Sequence, residues 1–350
     1  MENTAARAID WTEQGLVPDP VIRHGIRRLL KKRLAALDVN DCEAVADRKA
    51  AFIHGMDLAP VAPLPQLANE QHYEVPAAFF SKVLGKAHKY SCCHWDEGVT
   101  DLDAAEQAAL RISCEHAGLQ DGMDILELGC GWGSLTLWMA TRYPHSRITA
   151  VSNSSSQRNY IMRQAQAQQL ANIEVITCDM NDYAAQQAYD RIVSVEMFEH
   201  MRNYRVLFER VSSWLKPRGR FFMHIFCHRD VPYAFEDDNA TDWMSRHFFS
   251  GGMMPSSDLP LYFQDHLKIR QHWHWSGLHY EKTANAWLRN MDANRAAIWP
   301  ILEQTYGADH ARQWWMRWRM FFMACAELFA CENGQQWRVG HYLFDQAARR

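Results

Sequence analysis

The sequence predicts an α/β fold, a mostly parallel seven-stranded sheet with a helical region before it and a helical insertion near its end. Three observations carry that expectation. From about Asp121, short apolar runs alternate with helix-length segments; a glycine-rich turn follows the first run; and the last two strand-like runs enclose a long helical stretch. At 350 residues, 48% hydrophobic and 22% charged, the chain can bury a large core in one elaborated domain or two.

No stretch approaches the roughly 18 apolar residues of a membrane span, and Met1 to Glu13 lacks the apolar segment of a secretory signal. The expectation is a cytoplasmic protein without a transmembrane segment. Nine cysteines are an odd number with no CxxC pair, and adjacent Cys92 and Cys93 suit neither a mutual disulfide nor zinc spacing. They read as reduced thiols. A formal net charge of -4 lacks the basic excess of a nucleic-acid binder, which points to a small ligand and no nucleic acid.

Near the start, Ile22, Ile26, Leu29, Leu30, Leu34 and Leu37 form one helical stripe, ringed by Arg23, Arg27, Arg28, Lys31, Lys32 and Arg33. Such a basic amphipathic helix suits a membrane surface, but packing on the rest of the protein is the more ordinary reading. Prolines 60, 63 and 65 then break any helix and mark Ala59 to Pro65 as a linker. Beyond it, strands are expected at Asp124–Leu128, Ile148–Val151, Val175–Thr177, Ile192–Val195 and Phe221–Phe226. Leu267–Trp275 alternates like a strand and His341–Phe344 is a last short one. Between them lie helical stretches around Ala284–Arg295 and Ala308–Leu328, which predicts an antiparallel end to the sheet.

The turn after the first strand reads Glu127-Leu128-Gly129-Cys130-Gly131-Trp132-Gly133 and opens a helix near Ser134. Glycines permit a tight turn and let a ligand lie against the backbone, while the helix start offers unpaired N–H groups. A nucleotide-like cofactor fits such a turn. The G-x-G-x-x-G spacing of dinucleotide enzymes is absent, Glu127 precedes the first glycine, and the second strand ends in Ser152-Asn153 without an acid for a ribose diol, so NAD is the lesser reading. Cys178-Asp179-Met180 after the third strand could pair with an adenine amino group and cover its ring; a capped turn explains the same residues.

After the fourth strand comes Val195-Glu196-Met197-Phe198-Glu199-His200-Met201. If the chain passes into a helical turn there, Glu196, Glu199 and His200 share one side, at the end of the sheet where α/β proteins hold ligands. A charged helix start is the plainer alternative. His272-Trp273-His274-Trp275 puts two histidines on one strand face, yet a metal site needs further ligands that are not identifiable, and none is assigned. Glu236-Asp237-Asp238 reads as a solvated loop. Trp314, Trp315, Trp318, Phe321 and Phe322 suit either plain core or the wall of a substrate pocket.

Taken together, Asn69–Pro76, Lys89-Tyr90-Ser91-Cys92-Cys93, Leu126–Leu137 and Asn153-Ser154-Ser155-Ser156-Gln157 resemble the cyclopropane-fatty-acid synthase family of methyltransferases. Phe198–Tyr204, Cys227-His228, Leu261–Asp265, Leu288–Asn294 and Trp318-Arg319 extend the likeness to its coclaurine N-methyltransferase branch, over nearly the whole chain. The resemblance implies a class I, Rossmann-like fold and S-adenosylmethionine as cofactor. It implies an N-terminal helical region and linker over residues 1–70, a methyltransferase domain over 71–350, and a substrate-covering insertion at about 276–338.

Carried over by position, the resemblance implies that Tyr90, Ser91, Glu127, Gly129, Gly131, Gly133, Asn153, Gln157, Asp179 and Met180 surround the cofactor. Glu196, Glu199 and His200 would face the substrate as catalytic groups, any of the three being the base. Cys92, His228 and Trp318 would stand in the substrate pocket. The lipid enzymes typically have glycine where this chain has Glu196, whereas the amine branch has glutamate; the resemblance therefore favours a small amine as acceptor. An unsaturated phospholipid is the alternative, since the lipid enzymes' bicarbonate-holding positions persist as Cys92, Glu199 and His228. The family also allows a homodimer.

Overall fold

The computed structural model describes residues 2–37, 40–64, 75–238 and 242–347. Part of the first motif, Asn69–Glu74, and the boundary expected at residues 70 and 71 lie outside the described residues. Seven strands form one sheet: β1 (Asp124–Leu128), β2 (Arg147–Ser152), β3 (Ile173–Thr177), β4 (Tyr189–Val195), β5 (Leu215–His228), β6 (Leu267–Trp275) and β7 (Trp337–Gln346). Their order is β3-β2-β1-β4-β5-β7-β6, with β1 to β5 parallel and β7 antiparallel to both neighbours. The expected antiparallel end is therefore present. β1 is buried at all five positions because helices cover both faces, so its sequence runs apolar rather than alternating. β5 starts six residues earlier than its apolar run suggests, since Pro217 and Gly219 lie in a stretch where the β4 pairing shifts register between Tyr189 and Arg191.

Helices α1 (Glu2–Glu13), α2 (Asp19–Leu37) and α3 (Cys42–Leu58) precede the sheet, followed by α4 (Ala77–Val83) and α5 (Leu102–Ala117). The crossovers are α6 (Ser134–Arg142), α7 (Ser155–Ala167) and α8 (Tyr204–Ser213), and α9 (Trp243–Phe248) follows β5. Between β6 and β7 stand α10 (Gly277–Ala293), α11 (Arg295–Tyr306) and α12 (Ala308–Gly334), the last broken near its end by the non-helical Cys331, Glu332 and Asn333.

The basic helix α2 packs on α12 rather than standing free. Arg23 reaches Glu327 at 2.9 Å and Asn285 at 2.8 Å, and Arg27 reaches the other Glu327 oxygen at 2.9 Å. Ile22 and Leu37 are buried and Ile26, Leu30 and Leu34 lean on the core, but Leu29, expected in the same stripe, is 42% exposed. A stripe six residues wide overruns the contact that one neighbouring helix can make. Glu13 ties α1 to the same region through Trp243, Gln313 and Arg317, whose charge and bonds hold its carboxyl low against the upward push of burial. The first two helices thus pack against α12. No helix among the described residues is long and apolar enough to cross a membrane.

Candidate active site

The turn after β1 is held by its own backbone. Gly129 and Cys130 N–H both donate to Val151 O on β2 at 3.0 Å, and Gly133 caps α6 at φ 79°. The glycines are not equivalent. A Cβ at Gly129 would collide with Met197 and one at Gly133 with Ile161, each at 2.5 Å, whereas one at Gly131, φ 52°, meets nothing within 4 Å. Gly131 thus leaves open a space that any side chain would occupy.

Two clefts meet at this turn, sharing Gly129, Gly131 and Glu196. The first has about 770 Å³ of empty space, open mouth included, and is lined by Asn153, Gln157, Asp179, Met180, His200 and Met201. Gln157 is 1% exposed; its Oε1 accepts from Ser152 Oγ at 2.6 Å, and its Nε2 has no hydrogen-bond partner. Asp179 turns one oxygen to Asn181 N at 2.8 Å, so the capped turn uses Oδ1 while the residue lines the cleft. The linker also reaches this cleft: Ala62 and Leu64 line it, and Asn181 exchanges two 3.0 Å hydrogen bonds with Ala62.

The second cleft, about 580 Å³, is lined by His88, Lys89, Tyr90, Ser91, Ser113, Glu127 and Trp132. His88 Nε2, Ser113 Oγ and Trp132 Nε1 are buried without hydrogen-bond partners. Lys89, 2% exposed, donates to Ser91 Oγ at 2.5 Å and Cys92 O at 2.7 Å. Glu127 accepts from Thr136 Oγ1 at 2.5 Å, and burial pushes its carboxyl up to about 8. A charged amino-acid group suits this polar end and an adenosine suits the other. The orphaned donors and the open Gly131 position fit S-adenosylmethionine, with every expected cofactor residue at a cleft wall except Gly133, which shapes the turn from behind.

Glu196 stands where the clefts join, but not on a helical stripe with Glu199 and His200. Glu196 has φ 49°, and the turn that follows is a short 3₁₀ segment, Phe198–His200. Left-handed backbone swings the Glu196 side chain across the sheet. Its Oε1 accepts from Cys92 N at 2.9 Å and from His224 Nε2 at 3.1 Å, and its Oε2 accepts from Tyr280 OH at 2.7 Å. Burial raises this carboxyl, yet the hydrogen bond from His224, the charge of Lys89 and the Cys92 N–H outweigh that and hold it below its ordinary value.

Glu199 is the opposite case. Fully buried, it accepts from Phe226 N at 2.7 Å through Oε1 while Oε2 has no partner, and burial together with the Glu196 charge raises its pKa well above the usual range. The two carboxyls are therefore pushed in opposite directions, Glu196 toward its ionised form and Glu199 toward its acid form. His200 lies parallel to the Phe249 ring at 5.8 Å, and burial takes it down to about 4, so it is neutral at pH 7.

Cys92, Glu199, His228 and Trp318 line neither cleft. The Cys92 thiol donates to Cys93 O, and His228 Nδ1 accepts from Asp230 N and Val231 N. Trp318, wholly buried, packs on Phe79 at 4.8 Å and Phe248 at 5.1 Å as core. His272 stacks on Tyr342 and His274 bonds Ser257 Oγ at 2.7 Å, which accounts for that pair structurally. Sequence reading assigns none of His88, Lys89, Ser113, His224 and Tyr280 to the site. His224 alone carried a clear signal, a histidine inside the apolar run Phe221–Phe226.

The profile of the mycolic acid cyclopropane synthetase family matches residues 65–339. The chain is 37% identical over 338 residues to (S)-coclaurine N-methyltransferase of Thalictrum flavum subsp. glaucum, covering 95% of this chain and 93% of that one. It is 31% identical over 275 residues to the cyclopropane-fatty-acyl-phospholipid synthase of Escherichia coli K12, covering 78% and 67%. Among solved structures, coclaurine N-methyltransferase bound to N-methylheliamine and SAH superposes with a TM-score of 0.93 at 36% identity, covering 97% of this chain and 98% of that one. Together with the cofactor-shaped clefts, these likenesses show that the chain is an S-adenosylmethionine-dependent methyltransferase of the mycolic acid cyclopropane synthetase family.

Proposed function

We propose that this enzyme methylates the nitrogen of a small amine. The observation that carries the reading is Glu196, a buried carboxylate kept ionised by three donors at the junction of the two clefts. An ionised carboxylate there attracts an ammonium ion. S-adenosylmethionine, when bound, supplies a methyl group on a positively charged sulfur. The acceptor must meet that methyl with a free electron pair, so its proton has to be removed and its nitrogen aligned.

In water an amine with a pKa near ~10.4 holds its proton about three units above neutrality, a deficit of roughly 4 kcal/mol. Burial and a second positive charge both lower an amine's pKa, which narrows the gap to Glu196. Glu196 then takes the proton, and neutral His200, at the wall of the first cleft, is placed to orient the nitrogen by a hydrogen bond. Burial and the Glu196 charge push the Glu199 carboxyl well above its usual range, so Glu196 is the ionised member of the pair. The names of the N-methyltransferase relatives, at 31–37% identity, support the same reading.

The experiment is a screen of the purified chain with S-adenosylmethionine against a broad panel of small amines and against unsaturated phospholipid vesicles, with mass detection. Amine products are expected. Lipid turnover with no amine turnover would overturn the reading.

A further inference from the structure

Three histidines stand in file beyond Glu196. His224 Nε2 lies 3.1 Å from Glu196 Oε1, His341 Nε2 lies 2.9 Å from His224 Nδ1, and His116 Nδ1 lies 2.8 Å from His341 Nδ1. His224 and His341 are wholly buried and sit opposite each other in the β5–β7 register. His116, in the last turn of α5, is half-buried and stacks on Trp273 of β6 at 3.9 Å and 6°. None of the three lines a cleft. The file runs from a deep carboxylate toward the surface.

Hydrogen-bond chemistry leaves one arrangement when Glu196 is ionised. A carboxylate only accepts, so His224 donates from Nε2; neutral His224 then accepts at Nδ1, so His341 donates from Nε2. His341 accepts at Nδ1, so His116 donates from Nδ1 and keeps a lone pair at Nε2. Burial holds all three rings neutral, His116 down to about 4. Every donor in the file therefore points toward Glu196, and aligned bonds of this kind polarise one another.

We propose that His224, His341 and His116 are positioning residues that act through Glu196, fixing its orientation, favouring its ionised form and linking its resting protonation to the surface. The proposal rests on Glu196 being the anionic partner of the acceptor nitrogen. When Glu196 is protonated along the file, a proton from water binds His116 Nε2 and the His116 Nδ1 proton passes to His341 Nδ1. The His341 Nε2 proton passes to His224 Nδ1, and the His224 Nε2 proton passes to Glu196 Oε1. Each ring ends neutral in its other tautomer, and the carboxylate has become an acid. Loss of a proton that arrived this way reverses the steps, whereas a proton taken from an amine while His224 Nε2–H is in place does not enter the file.

Other ionisable groups face this file. Glu196 feels Lys89, Cys92, Tyr280 and Cys325, with Glu199 and His200 on its own turn. His341 feels Lys89 and His94, and His116 feels Glu115 and His94. All of these stay in place in the test, which changes only the outermost ring.

Two measurements decide. In the substrate-free protein, ¹⁵N-edited spectra of the histidine rings are expected to show Nε2–H at His224 and His341 and Nδ1–H at His116; an Nδ1–H form of His224 at neutral pH overturns the file without touching the amine reading. In activity assays on an accepted amine, His116→Phe keeps a ring on Trp273 but removes the donor, whereas His116→Asn keeps a donor near Nδ1 and removes the ring. The acid limb of the kcat profile should rise by about half a pH unit or more in His116→Phe and stay near the parent's in His116→Asn. The reverse pattern, expected of a stacking role alone, or unmoved limbs in both variants, overturns the proposal. Absence of any amine turnover by the parent would instead strike the proposed function, and the ring spectra would still decide the file.

Discussion

Replacing Glu196 is the sharpest perturbation the site offers. At φ 49° the backbone is one that glycine adopts without strain, so Glu196→Gly removes the carboxylate while easing the local conformation. What is lost is the acceptor of three hydrogen bonds, from Cys92 N, His224 and Tyr280, and the ionised group at the meeting of the clefts. A positioned base typically contributes about 10²–10⁴-fold, and that is the expected fall in kcat at pH 7 on an amine. The variant should recover as pH rises, because free amine gains about tenfold per unit until its pKa near ~10.4. The parent has the same sign over a lower pH range. Its carboxyl sits below the ordinary value, so activity is present above that pKa and is lost as pH falls through it. Cofactor affinity, measured by calorimetry, should be nearly unchanged. A variant as fast as the parent, or one whose rate stays flat between pH 7 and 10, would refute the role given to Glu196.

Gly131→Val places a side chain in the open space between the clefts and strains a residue at φ 52°; S-adenosylmethionine affinity should fall about ten- to hundredfold by calorimetry with the fold intact by circular dichroism, and an unchanged affinity would remove the turn from the site. Glu127 keeps its proton up to about 8 when folded but releases it near 4.5 when unfolded, so folding takes up a proton between those values and stability falls as pH rises through them. Glu127→Gln should therefore melt at a higher temperature than the parent at pH 8, with the gap closing near pH 4. Trp318→Ala empties a wholly buried site against Phe79 and Phe248 and should cost about 3–5 kcal/mol in denaturant unfolding; a loss below about 1 kcal/mol would place Trp318 at a mobile pocket wall instead.

The sheet and the glycine turn are legible in the sequence alone. Alternating apolar runs, the Gly129-Cys130-Gly131-Trp132-Gly133 spacing and the acids near strand ends are local signals, and local signals survive in one dimension because backbone geometry reads them a few residues at a time. Even there Leu29 was misplaced, since periodicity states which residues share a helix face and not how much of that face a neighbour covers. The chemistry at Glu196 was decided only in three dimensions. His224 lies 28 residues away in sequence and Tyr280 84, and they reach the same carboxylate because β5 pairs with β4 and α10 packs beneath β7. A helical turn would have set Glu196, Glu199 and His200 as a stripe of like groups; one left-handed residue separated them into an ionised carboxylate, a buried acid and a neutral imidazole. Protonation follows desolvation and neighbouring charge, both properties of the packed interior, and no spacing along the chain encodes them.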